Sequence, residues 1–138
     1  MTTTISPHTA LVYVMVVVSA ADRRMTDAEL KAIGGVVRTV PAFAGYPEEN
    51  LLRDARNCAA IVENEEEGLN AVLGLAREAL PATHLDTAYL LACEVAAADG
   101  HFTREEIRIL EMIRHGLGLD RLTASAIERA VTARFRGF

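Results

Sequence analysis

Apolar residues recur along this chain at helical spacing, and no segment alternates apolar with polar positions as a strand would. Residues 10–21, ALVYVMVVVSAA, form an apolar run interrupted only by Ser19, which predicts a buried central helix. The run is too short to span a bilayer, which takes roughly 20 residues. The preceding MTTTISPH has no Lys or Arg, unlike the n-region of a signal peptide, and a similar segment recurs inside the chain. Leu30, Ile33 and Val36 mark a second helix. Pro47 with Glu48 and Glu49 opens a third, with Leu51, Leu52, Ala55, Ala59 and Val62 on its inner face. Leu69, Val72, Leu73, Ala76 and Leu80 form the next stripe, stopped by Pro81. Thr83 is placed to cap the helix over 85–98, Gly116 and Gly118 end the one after Thr103, and Ile127, Val131 and Phe135 mark the last. The expectation is an all-α, single-domain bundle of about seven helices over residues 1–138. A short linker, TVPAFAGYP at 39–47, follows the second helix, with Phe43 and Tyr46 roofing the core.

The pattern contains a copy of itself. VSAADRRMTDAE at 18–29 and VAAADGHFTREE at 95–106 agree at six of twelve positions with an offset of 77. Downstream, Leu30, Ile33 and Val36 align with Ile107, Leu110 and Ile113. Two pseudo-symmetric helix–turn–helix repeats are expected, the first over about 8–40 and the second over about 84–118.

Two physical readings of the repeated segment stand open. In the first, Thr26 with Glu29 and Thr103 with Glu106 are capping boxes, in which the hydroxyl accepts from the N3 amide and the carboxylate accepts from the cap's own amide. Asp99-Gly100 supplies the turn, and Met25 and Phe102, just before each cap, are hydrophobic staples. In the second reading the corners hold a divalent cation. Asp99, Gly100, Phe102 and Glu106 fall at positions 5, 6, 8 and 12 of an EF-hand loop, but Val95 and Ala97 occupy positions 1 and 3, so a true EF-hand is not expected. What remains is a pair of acidic corners that would pool Asp22, Glu29, Asp99 and Glu106 if the repeats face each other. Such an all-oxygen set suits Ca²⁺, Mg²⁺ or Mn²⁺ rather than zinc. The second corner is expected to dominate, because Arg23 and Arg24 flank Asp22.

The phrase AAADGHFTREEI at 96–107, after an apolar helix and before ILEMIRHGLGLD, resembles the hallmark of the TerB-like (tellurite resistance) family, and SAADRRMTDAEL at 19–30 is similar to a degenerate first copy. The resemblance covers roughly residues 8–120. It implies an all-α domain of two pseudo-symmetric helix sets, a cytoplasmic protein tied to tellurite or general stress resistance, and a metal-binding role for acids that fall on Asp99, Glu106, Asp22 and Glu29. Arg23 and Arg24 depart from the family pattern, which favours Gly and a small or polar residue there.

Composition removes other classes. Hydrophobic residues make up 51% and charged residues 24% of the 138, a globular balance. The net charge of −5 argues against nucleic acid as a partner. Charge is unevenly spread: residues 45–67 carry seven acids and two arginines, and residues 121–138 carry four arginines and one glutamate. That basic end leaves peripheral contact with acidic lipid open but falls short of an anchor. Cys58 and Cys93 read as small reduced core residues, consistent with the cytoplasm. No nucleophile motif appears, so no enzyme is expected. Glu111 and His115, at i and i+4, lack the partners of a metal motif, and His115 suits the last turn of its helix. Glu94 is expected at solvent, against an arginine, or as a further acid for the Asp99 corner. Two functions follow: a non-enzymatic stress-resistance protein with a weak cation site and stress-response protein partners, or a helical protein–protein interaction module in which the repeated motif only caps helices.

Overall fold

Ten consecutive residues, Ala10 to Ser19, are buried because their helix is apolar on every side. The computed structural model describes residues 4–19, 25–64, 66–100 and 102–138. Among the described residues there are seven α-helices and no strand: α1 (Pro7–Ser19), α2 (Asp27–Thr39), α3 (Leu51–Asn64), α4 (Gly68–Ala79), α5 (Leu85–Ala96), α6 (Arg104–Gly116) and α7 (Arg121–Arg134). The all-α bundle expected from periodicity is therefore the observed architecture.

Helix α1 is the axis of the bundle and packs against α3, α4, α5 and α6. Helix α5, the other strongly apolar element, packs against α1, α2, α6 and α7. Helix α2 also lies on the 3-10 turn Ala97–Asp99 that follows α5. The core is aliphatic, centred on Met15, Ile33, Leu73, Leu91, Ile113 and Leu117. Phe43 is buried and Tyr46 half-buried in the connection after α2, where both rings pack on His8. They roof the core as the sequence suggests.

Three local expectations are corrected. On α3, Leu52 and Ala59 face solvent, and the buried positions are Asp54 and Cys58. An acid can occupy that inner face because hydrogen bonds satisfy it: Asp54 Oδ2 accepts from the Tyr46 hydroxyl at 2.6 Å and from the Thr9 hydroxyl at 3.1 Å, with Arg53 at 3.4 Å from Oδ1. This one carboxylate ties α1, the linker and α3 together. Thr83 does not cap α5. It lies in the 3-10 turn Ala82–His84, its hydroxyl 2.9 Å from His84 Nδ1, and α5 begins at a His84 cap with no side-chain hydrogen bond. The first residue of each repeated stripe, Leu30 and Ile107, is half exposed rather than buried.

The turn between α3 and α4 requires glycine. A Cβ on Gly68 would stand 2.6 Å from both the Cα and the carbonyl oxygen of Val62, inside any tolerable backbone contact. Around it Glu63, Glu66 and Glu67 are exposed, as a solvated junction should be, and Glu65 lies outside the described residues.

Candidate acidic corners

Each acidic corner is built by the start of a helix. Thr26 has the extended backbone of an N-cap, and its hydroxyl accepts from the Glu29 amide at 3.1 Å while its own amide donates to Glu29 Oε1 at 3.0 Å. Thr103 repeats this with Glu106, at 3.1 Å and 2.9 Å. Both capping boxes predicted from the spacing of Thr and Glu are complete. Met25 and Phe102, one residue before each cap, are partly buried against the core, as staples are.

Both glutamates are buried, at 0% exposure for Glu29 and 1% for Glu106. Glu29 spends only Oε1 on its cap; Oε2 is buried and has no hydrogen-bond partner among the described residues. The hydroxyl of Ser19, at the end of α1, is likewise buried and unpartnered among the described residues. The first corner thus carries two desolvated oxygens whose cost no described group offsets.

The second corner is arranged differently. Asp99 is the last residue of the turn after α5 and is exposed, and Gly100 follows with φ +86°, a left-handed conformation that glycine adopts without strain. One acid of this corner therefore faces solvent while the other, Glu106, is buried. Asp22, with Arg23 and Arg24, lies outside the described residues. Among the described residues, no three His, Cys, Asp or Glu side chains come together as a group able to hold a metal. The packing of α2 on Ala97–Asp99 brings the first corner's helix against the second corner's turn.

The remaining candidates resolve simply. Glu94 is an arginine partner, 3.1 Å from Arg134. His115 is exposed in the last turn of α6, with Arg114 Nη2 2.9 Å from its Nε2. Cys58 and Cys93 are buried free thiols on separate helices, each pushed up to about 12 by burial, so neither is poised as a nucleophile. The sequence reading missed Asp54, and it missed the hydrogen bond from the Tyr89 hydroxyl to Glu128 that joins α5 to α7. The detectable signal for Asp54 was its i, i+4 spacing to Cys58 beneath a tyrosine-bearing linker. No helix among the described residues is long and apolar enough to cross a membrane.

Compared with known proteins, residues 8–129 match the family model described as tellurite resistance protein TerB. No curated protein and no solved structure matches the chain.

Proposed function

Because the chain belongs to the tellurite resistance protein TerB family, we propose that it is a non-enzymatic, cytoplasmic, tellurite- and stress-resistance-associated protein whose acidic corners take a divalent cation weakly. The observation that carries this reading is the buried Oε2 of Glu29, a carboxylate oxygen with no hydrogen-bond partner among the described residues. A cation would relieve that cost.

The acids proposed for the ion are Glu29 with Asp22 at the first corner and Asp99 with Glu106 at the second, taken as separate pairs because Glu29, Asp99 and Glu106 do not come together as one group. They offer oxygen donors only, which selects Ca²⁺, Mg²⁺ or Mn²⁺. When bound, the ion would supply charge compensation to the acids of its corner. The chain does the rest: the Thr26 amide fixes the Glu29 carboxylate through Oε1, and α2 rests on the turn that ends in Asp99. The reciprocal packing of α2 on α5 and α6 on α1 supports the two-repeat reading. With so few carboxylates and an exposed Asp99, affinity is expected at about 10⁻⁴–10⁻³ M.

Thermal melts of chelator-stripped protein test this. Calcium or manganese at about tenfold over a millimolar Kd should stabilise the protein by about 1.4 kcal/mol. Asp99→Asn and Glu106→Gln, which keep shape and remove charge, should lose that gain. An equal gain in all three proteins would overturn the reading.

The interaction-module reading is favoured by one observation: each capping box is complete from a threonine and a glutamate of the chain itself. In that reading the acids are wholly structural and metal moves no melting temperature.

A further inference from the structure

Two surface grooves lie beside the two repeated corners, and their walls are equivalent. Val16, Met25, Leu30 and Ile33 line the first, and Cys93, Phe102, Ile107 and Leu110, each 77 positions later, line the second. The first, about 260 Å³, is closed by Leu51, Leu52 and Ala55 of α3, with Glu48 and Glu49 among its lining residues. The second, about 230 Å³, is closed by Glu128 and Thr132 of α7; of its two acids, Glu128 accepts from the Tyr89 hydroxyl, and Glu111 stands beside it.

The exposed large apolar side chains fall into two sets. Leu30, Leu52 and Ile107 line the grooves, whereas Leu122, Phe135 and Phe138 stand on α7 or just after it. Charge divides the same way. Of the seven acids in residues 45–67, Glu48 and Glu49 line the first groove, whereas residues 121–138 carry +3. Glu48 pairs with Arg38 at 2.8 Å, and Arg134 pairs with Glu94 at 3.1 Å. Glu49 and Arg136 are exposed and have no ion-pair partner among the described residues. One part of the molecule is thus an acidic-rimmed apolar hollow, and another is an exposed arginine–phenylalanine segment.

We propose that the groove between α2 and α3 is a docking site for a second copy of this chain, which seats its Phe135–Phe138 segment there, with Phe138 on the apolar floor and Arg136 against Glu49. The contact is head-to-tail: each copy offers a groove to one neighbour and a tail to another. It does not depend on the cation site, which involves different side chains.

Sedimentation of the full chain tests it. The average mass of the wild type should rise with concentration and fall back as salt screens the charges. Phe138→Ser with Arg136→Glu spoils the tail, and Leu52→Lys spoils the groove. All three positions are exposed, so the variants keep the fold, which circular dichroism checks. Each variant alone should associate at least about tenfold more weakly than wild type. Mixed, they should form a one-to-one dimer, since each keeps the half that the other lacks. Wild type that stays monomeric at every concentration, variants that associate like wild type, or a mixture that stays monomeric would each overturn the proposal. Protection of the 135–138 amides from hydrogen exchange that is independent of concentration would also overturn it, because the tail would then occupy its own groove.

Discussion

Thr26 and Glu29 hold each other reciprocally across the first turn of α2, and Thr103 and Glu106 do the same at α6. Losing either threonine hydroxyl orphans an N3 amide at a helix start. Thr26→Ala and Thr103→Ala should each cost about 1 kcal/mol. Urea denaturation of the two variants checks this, with the midpoint falling and the slope unchanged.

Tyr46 and Thr9 keep the Asp54 carboxylate satisfied inside the protein. Tyr46→Phe removes the shorter of these two hydrogen bonds while leaving the ring in place against His8 and Phe43. The cost should be about 1–3 kcal/mol, the range for a buried polar group losing its partner. Because Tyr46 acts here through the Asp54 carboxylate, combining Tyr46→Phe with Asp54→Ala should cost less than the sum of the two single changes.

Two glycine substitutions should have opposite signs. Gly68→Ala drives a Cβ to 2.6 Å from the Val62 backbone, so α4 must shift and the protein must lose stability. Gly74→Ala, in the middle of α4 with nothing within 4 Å of the new methyl, should gain about 0.5–1 kcal/mol by removing glycine's conformational freedom. Thermal melts of both variants report the two signs directly.

The alkaline limb of stability should be steep. Burial pushes the Cys58 and Cys93 thiols up from 9.0 to about 12, and it also raises Tyr13, Tyr46 and Tyr89 above the ordinary tyrosine value. Each of these groups holds its proton more tightly folded than unfolded. Their contribution is therefore intact below about pH 9, where unfolded thiols begin to titrate, and is lost as pH rises towards about 12. Denaturation midpoints measured across that window should fall, and Cys58→Ala should flatten the first part of the fall. In the native protein at neutral pH, neither thiol should react with a maleimide until unfolding exposes it.

How far the sequence could be read depended on whether a feature was local. The capping boxes were legible because a cap is a relation between residues three apart, and α1 was legible because a helix apolar on every side has one stable place. The burial of Asp54 was not legible, since its partners Thr9 and Tyr46 come from elsewhere in the chain. Leu30 and Ile107 misled for a different reason: they continue an apolar stripe, but at N4 each follows its staple residue onto the rim of a groove. Thr83 had a cap's chemistry without a cap's position, because a 3-10 turn intervenes before α5. Among the candidate acids, the sequence correctly joined Glu29 and Glu106 to their caps, whereas the burial of these two and the exposure of Asp99 depend on packing that no local pattern encodes.

Whether the acidic corners take a hard divalent cation is read from calorimetric titration of the chelator-stripped protein. Calcium, magnesium and manganese would be titrated separately into wild type and into Glu29→Gln, which keeps the Oε1 acceptor of the cap while replacing the buried Oε2. Wild type should bind saturably with a Kd of about 10⁻⁴–10⁻³ M, and Glu29→Gln at least about tenfold more weakly. No binding by wild type to any of the three ions, or equal binding by the variant, would contradict a cation site at these corners.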